Sequence, residues 1–236
     1  LAATAPTWVA RDRVDGAKEA VEEGAEIIVM DDGFQNPGLK KDLSLLVIDA
    51  ATGFGNGRVM PAGPLRETVA SGLARADAVV LIGEEDIGEA GNGLFGGLPV
   101  LRARLQPRDT ALAGQKVYAF AGIGRPGKFF DTLNALGAQV AGREAFADHQ
   151  PYNAATLDRL RAAAQATGAR LVTTAKDAAR LGALRTPDIA VLDVVLDWED
   201  KGALLRLLEQ HLPSGGPSAG PPARPPAKPS ARNDAS

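Results

Sequence analysis

The sequence predicts an α/β fold, a doubly wound parallel sheet followed by a second, smaller α/β unit. Three observations carry this. Runs rich in Ile, Val and Leu recur at Ala25–Met30, Leu43–Ile48, Ala78–Ile82, Val117–Ala121 and Arg170–Thr174, at lengths that suit strands. Segments with helical periodicity separate them, and that alternation builds parallel sheets. Polar or glycine-rich turns follow the strand ends, as in DDGFQN (31–36) and GIGRPG (122–127).

In chain order, Pro6–Ala10 reads as a short strand, and Asp15 is the expected N-cap of a helix through Glu23, with Gly24 as its left-handed stop. The strands Ala25–Met30 and Leu43–Ile48 follow, then the glycine-broken GFGNG (53–57). A helix is expected from Arg66 or Glu67 to Arg75, a strand at Ala78–Ile82, a surface loop over Gly83–Gly97 and a half-wet strand at Val100–Leu105. Residues 106–115 read as a seam. The second unit then runs strand Val117–Ala121, helix Phe129–Leu136, a strand near Gln139–Val140, a helix near Ala154–Thr167 and strand Arg170–Thr174. TTAKDAARL (173–181) opens another helix, Ile189–Leu196 is a strand and Glu199–Leu212 a closing amphipathic helix. The expected division is 1–107, 108–212 and a tail of 213–236. That tail holds seven prolines and three glycines in 24 residues, too little apolar surface to offset chain entropy, so disorder is expected.

Composition narrows the function. A formal charge of −3 and a pI near 5.5 argue against a nucleic-acid partner, which wants a basic footprint. With no cysteine there is no disulfide or thiolate metal site. No apolar run approaches the ~20 residues that span a bilayer, and the chain reads as soluble. It starts at Leu1 and enters extended apolar sequence within a few residues, so a longer parent protein is expected.

Ligands of open parallel sheets sit beyond the carboxyl ends of the strands, where Asp31, Asp32, Gln35, Asn56, Arg66 and Glu67 would face one crevice. An apolar run ending in Asp31-Asp32 has the form of a Walker B strand, whose acid holds Mg²⁺ on a nucleotide. Such acids often serve only as turn residues, but joined to Arg66-Glu67 after a second strand they favour a site. Gly122–Lys128 imitates a phosphate loop and fails, because Phe129 stands where a hydroxyl must ligate Mg²⁺ and Pro126 removes an N–H. GFGNG lacks dinucleotide spacing, and its glycines let the backbone turn beside a ligand. His149, beside Asp148, is either a proton-transfer group or a hydrogen-bonded loop residue, and His211 is a C-terminal capping charge. A nicotinamide dehydrogenase would need a G-x-G-x-x-G turn, which is absent.

DDGFQ (31–35), GFGNG followed by PAGPLRE (53–67), AGIGRPGKFF (121–130), FADHQPY (146–152) and TTAKD (173–177) together resemble the tetraacyldisaccharide 4′-kinases, the lipid A kinases of Gram-negative bacteria, over residues 1 to about 212. The resemblance implies a partial P-loop-type core plus a smaller lobe. It implies ATP and Mg²⁺ as cofactors and phosphorylation of the 4′-hydroxyl of a tetraacyl disaccharide 1-phosphate, giving lipid IVA. That membrane lipid would be met on the cytoplasmic face of the inner membrane, by a monomer. Residue by residue, Asp31, Asp32 and Glu67 match metal positions, and Arg13, Gln35, Asn56 and Arg66 face substrate and phosphate. His149, with Asp31, Asp32 and Arg66, is assigned to catalysis, the histidine assisting a catalytic base. The family's phosphate loop and catalytic aspartate precede the matching part, Leu1-Ala2 resembling the end of the latter's motif, and Ala175 stands where the family usually has Glu. Little or no kinase activity is therefore expected of these residues alone. The alternative is a non-catalytic sugar-phosphate or nucleotide binding protein derived from that kinase.

Overall fold

The computed structural model describes residues 4–85, 93–148 and 150–212, so the proline-rich tail and His149 lie outside the described residues. The chain divides into two compact units. One comprises the described residues up to Arg102 with those from Glu199 onward, and the other is Ala103–Trp198.

In the first unit, α1 (Arg13–Glu22) starts three residues ahead of expectation because Asp12, not Asp15, is its cap, accepting from the Val14 N–H at 2.7 Å. Asp15 falls in the first turn, where a carboxylate suits the helix dipole. Pro6–Ala10 and Ala25–Met30 are not strands, a correction to both expectations, and Val9 and Val29 are 97% and 89% exposed. An apolar run becomes a strand only when a neighbour satisfies its backbone, and no described segment pairs with either run.

Strand β1 (Leu45–Asp49) pairs in parallel with β2 (Ala78–Ile82), from Leu45↔Ala78 to Asp49↔Ile82. Between them the short α2 (Val69–Leu73) begins later than expected, because the Thr68 hydroxyl caps it by accepting from Ser71 N–H. Arg66 and Glu67 thus stand in the preceding loop. Strand β3 (Val100–Pro107) is the next neighbour of β2. Ile48, Ala50, Val79, Leu81 and Phe95 form the core, so the expected surface loop over Gly83–Gly97 is wrong at Phe95, which is 3% exposed.

The second unit is an open parallel sheet. Strand β4 (Lys116–Ala121) pairs with β5 (Gln139–Ala145) on one side and with β6 (Arg170–Thr174) on the other, and β6 pairs with β7 (Ala190–Leu192), in the order β5-β4-β6-β7. The two-residue period of β4 sends Val117, Ala119 and Ala121 to one face and Tyr118 and Phe120 to the other. Helix α3 (Pro126–Ala135) covers the first face with Phe129, Phe130 and Leu133, and proline at its first position suits a helix start. Helices α4 (Ala154–Ala166) and α5 (Ala175–Leu181) cover the other with Leu157, Leu160 and Leu181.

The strand expected over Ile189–Leu196 is two strands. Asp193 interrupts it, its carbonyl accepting from Arg108 N–H (2.9 Å) and its carboxylate from Arg108 Nε (2.6 Å). Strand β8 (Val194–Trp198) then runs antiparallel to β3, from Ala103↔Trp198 to Pro107↔Val194. The closing helix α6 (Lys201–His211), capped by Asp200, groups with the first unit, where a linear division at residue 108 assigns it to the second.

Candidate functional site

The turn after the Ala25–Met30 run holds the acids in an uncommon backbone state. Asp32 has φ 51°, a left-handed conformation that no other non-glycine described residue adopts. Asp tolerates it better than most residues, yet such outliers collect at ligand sites. Its carboxylate meets the Arg66 guanidinium as a fork: Nη1 lies 2.9 and 3.0 Å from the two oxygens, and Nη2 3.0 Å from one. The DDGFQ and PAGPLRE segments, 34 residues apart in the chain, are thereby joined.

Glu67 is the second node. It accepts from Gln35 Nε2 (3.2 Å), from the Ser71 hydroxyl (3.0 Å) and from Arg75, which also lies 4.9 Å from the centre of the Phe34 ring. Burial pushes the Glu67 carboxyl up, but hydrogen bonds from Arg75, Ser71 and Gln35 outweigh it and hold the group below the usual carboxylate range.

The remaining sequence candidates are less gathered. Asp31 is exposed beside Asp32, without a side-chain bond among the described residues. Arg13 donates to the Ala10 carbonyl (3.2 Å), and no hydrogen bond ties it to the acids. Asn56 turns its amide into its own loop, donating to the Ala62 carbonyl (2.9 Å) and accepting from Arg58 N–H (3.1 Å). It shapes that loop with Gly53, Gly55 and Gly57, all at positive φ. His149 is outside the described residues.

Asp31, Asp32 and Glu67 do not form a preassembled metal cage, and no group of three or more metal-ligating side chains exists among the described residues. Asp32 faces Arg66 and Glu67 faces Arg75 instead. Mg²⁺ is ordinarily held by one or two carboxylates plus substrate phosphates, so the exposed Asp31 and Asp32 oxygens fit an ion arriving on a nucleotide.

The sequence reading missed a different cluster, in the second unit. Asp177 has no exposed surface, and its oxygens accept from Gly122 N–H (3.2 Å to each), Tyr152 Oη (2.9 Å), Thr174 Oγ1 (2.7 Å) and Arg180 Nη1 (2.9 Å). Burial first, then the adjacent Asp177 carboxylate, pushes the Tyr152 phenol far above its ordinary pKa. Thr174-x-x-Asp177 has the spacing of a helix capping box, a signal that could have marked this acid.

A family model for tetraacyldisaccharide-1-P 4′-kinase matches residues 1–213. The chain belongs to that family. It is 56% identical over 211 residues to the tetraacyldisaccharide 4′-kinase of Rhodospirillum centenum, covering 88% of this chain and 62% of that one. Against the Paramagnetospirillum magneticum enzyme of the same name, identity is 52%, covering 89% of this chain and 65% of the other. A crystal structure of LpxK from Aquifex aeolicus in complex with ATP superposes with a TM-score of 0.60 at 26% identity, over 85% of this chain and 62% of that one. The α/β fold is therefore shared, and the chain spans a little under two thirds of the length of these tetraacyldisaccharide 4′-kinases.

Proposed function

We propose that this chain supplies the metal- and phosphate-facing part of an ATP-dependent lipid kinase acting on the 4′-hydroxyl of tetraacyldisaccharide 1-phosphate. The observation that carries the reading is the forked Asp32–Arg66 contact, which brings two family motifs to one exposed place. Phosphoryl transfer asks for positioning and charge neutralisation more than covalent help from the protein. The sugar hydroxyl oxygen bonds to the γ-phosphorus as the bond to the β-bridging oxygen breaks, ADP leaves, and the hydroxyl proton passes to a base.

Asp31 and Asp32 would hold Mg²⁺, which supplies charge neutralisation at the phosphate oxygens. With Asp32 serving the ion, its partner Arg66 would be free to meet a phosphate oxygen. The exchange costs little, because both side chains are more than half exposed, at 56% and 66%. Glu67, held ionised by Arg75, orients Gln35, and Arg13 approaches the phosphates. His149 assists the catalytic base. The family resemblance supports a lipid on the cytoplasmic face of the inner membrane, to be met there peripherally; no helix among the described residues is long and apolar enough to cross a membrane.

Residues 1–236 contain no G-x-x-x-x-G-K-[ST] loop, so they are expected to give little or no transfer alone. The test joins residues 1–236 to the stretch of the Rhodospirillum centenum relative that the match leaves uncovered, and follows label from ATP into the disaccharide. Transfer that Asp32→Asn abolishes is the expected result. A folded, ATP-binding chimera that leaves the disaccharide unlabelled would defeat the reading.

A further inference from the structure

Three turns of the second unit, each following a different strand, meet on one side chain. Gly122 follows β4, Phe146–Tyr152 follows β5, and Thr174–Asp177 closes β6 and opens α5. In the order β5-β4-β6-β7, the chain leaves β4 in one direction to reach β5 and lies on the other side at β6. The carboxyl ends of β4 and β6 therefore flank the topological switch point, where open α/β sheets bind ligands. Here the protein's own Asp177 occupies that place.

A carboxylate with no exposure is costly to bury unless its lone pairs are met. Gly122, Tyr152, Thr174 and Arg180 meet them, as set out above. The Arg180 guanidinium, anchored on Asp177 and on the Gly122 carbonyl, extends its other nitrogen to the Gln150 carbonyl at 2.6 Å. Gln150 closes its own turn: its N–H donates to the Ala147 carbonyl (3.1 Å), and its side-chain oxygen accepts from Ala147 N–H (3.3 Å). At the far end, Tyr152 packs edge-on against Phe120 and Phe146, at centroid distances of 5.5 and 5.3 Å. Gly122 leaves room for this approach, since a Cβ there would lie 2.9 Å from the Tyr152 hydroxyl. Ala175, the departure from the family motif, is exposed and outside the network.

We propose that Asp177 is a positioning residue, whose buried carboxylate acts through Arg180 and Tyr152 to fix the backbone on both sides of residue 149. Its chemical meaning rests on the kinase reading, in which that residue assists the base. The planar fork of Arg180 bridges three oxygens in fixed directions, which the point charge of a lysine reproduces only in part.

Amide hydrogen exchange on the whole 236-residue chain tests this. In Arg180→Gln, the Gln150 amide should exchange ~10-fold faster or more, while β6 and α4 amides keep their protection. The His149 ring resonance should shift while that of His211 stays, and Arg180→Lys should restore part of the protection. Asp177→Asn should act in the same direction; if it does not fold, Arg180→Gln decides. Unchanged Gln150 exchange in Arg180→Gln, or acceleration by one factor throughout the unit, overturns the proposal. Phosphoryl transfer by the chimera described above is read separately, so the kinase reading and the positioning role stand or fall independently.

Discussion

In the first unit, Asp32 pairs with Arg66 where both side chains are largely in water; in the second, Asp177 pairs with Arg180 where the acid has no exposed surface. The residue types are the same and the consequences opposite. An exposed pair contributes on the order of 0–1 kcal/mol, so either partner can be surrendered to a ligand at small cost. Removing one partner of a buried pair leaves an uncompensated charge and costs roughly 3–5 kcal/mol. Exposure suits Asp32 to a reacting group, and burial suits Asp177 to holding backbone in place.

The sharpest way to break this contrast is Asp177→Ala, expected to destabilise the chain by roughly 3–5 kcal/mol in denaturant titration. A loss under about 1 kcal/mol would show that burial does not set the cost. Next comes Tyr152→Phe, expected to cost about 1 kcal/mol for one lost hydrogen bond. It also carries a pH signature. Because the folded phenol binds its proton more tightly than the unfolded one, its stabilisation is complete below the unfolded pKa of about 10 and is lost as pH rises toward the folded value. The wild type should lose stability in that alkaline window, and Tyr152→Phe should flatten the slope.

Smaller is Arg75→Ala, at about 0.5–1 kcal/mol for a half-exposed pair. Glu67 has a depressed folded pKa, so its contribution is present above the unfolded value of about 4.3 and lost as pH falls through the folded one. Arg75→Ala should therefore weaken the acid-side slope in thermal melts. Smallest for stability is Asp32→Asn, expected within about 0.5 kcal/mol of wild type while transfer by the chimera is lost. Equal transfer with aspartate or asparagine at 32 would remove Asp32 from the chemistry.

Much of the second unit was legible in the sequence because its strands are short apolar runs flanked by capping residues, and the Arg170–Thr174 strand falls at the expected residues, as Ala78–Ile82 does in the first unit. The first unit was less so. The Ala25–Met30 run has the composition of a buried strand, but composition cannot supply the neighbour that turns such a run into one. Asp193 was invisible as a break, because its effect comes through Arg108, 85 residues earlier. At the candidate site, Asp32, Gln35, Arg66 and Glu67 stood out in the sequence because their motifs are dense in chemistry, and the structure pairs Asp32 with Arg66 and Gln35 with Glu67. Arg75 and Asp177 were missed because their importance lies in what they touch. The loop-closing bonds of the Asn56 amide were not legible, because spacing alone does not show which backbone groups an amide in a glycine-rich loop will meet.

The left-handed backbone at Asp32 bears on how that position is to be mutated. Alanine there would lose the carboxylate and also oppose the local chain geometry, adding ~1 kcal/mol of conformational penalty unrelated to phosphate chemistry. Asparagine keeps both the outline and the tolerance for positive φ, and glycine keeps the tolerance alone. Lost turnover in both, with unfolding midpoints preserved, would assign the defect to missing charge and not to a displaced turn.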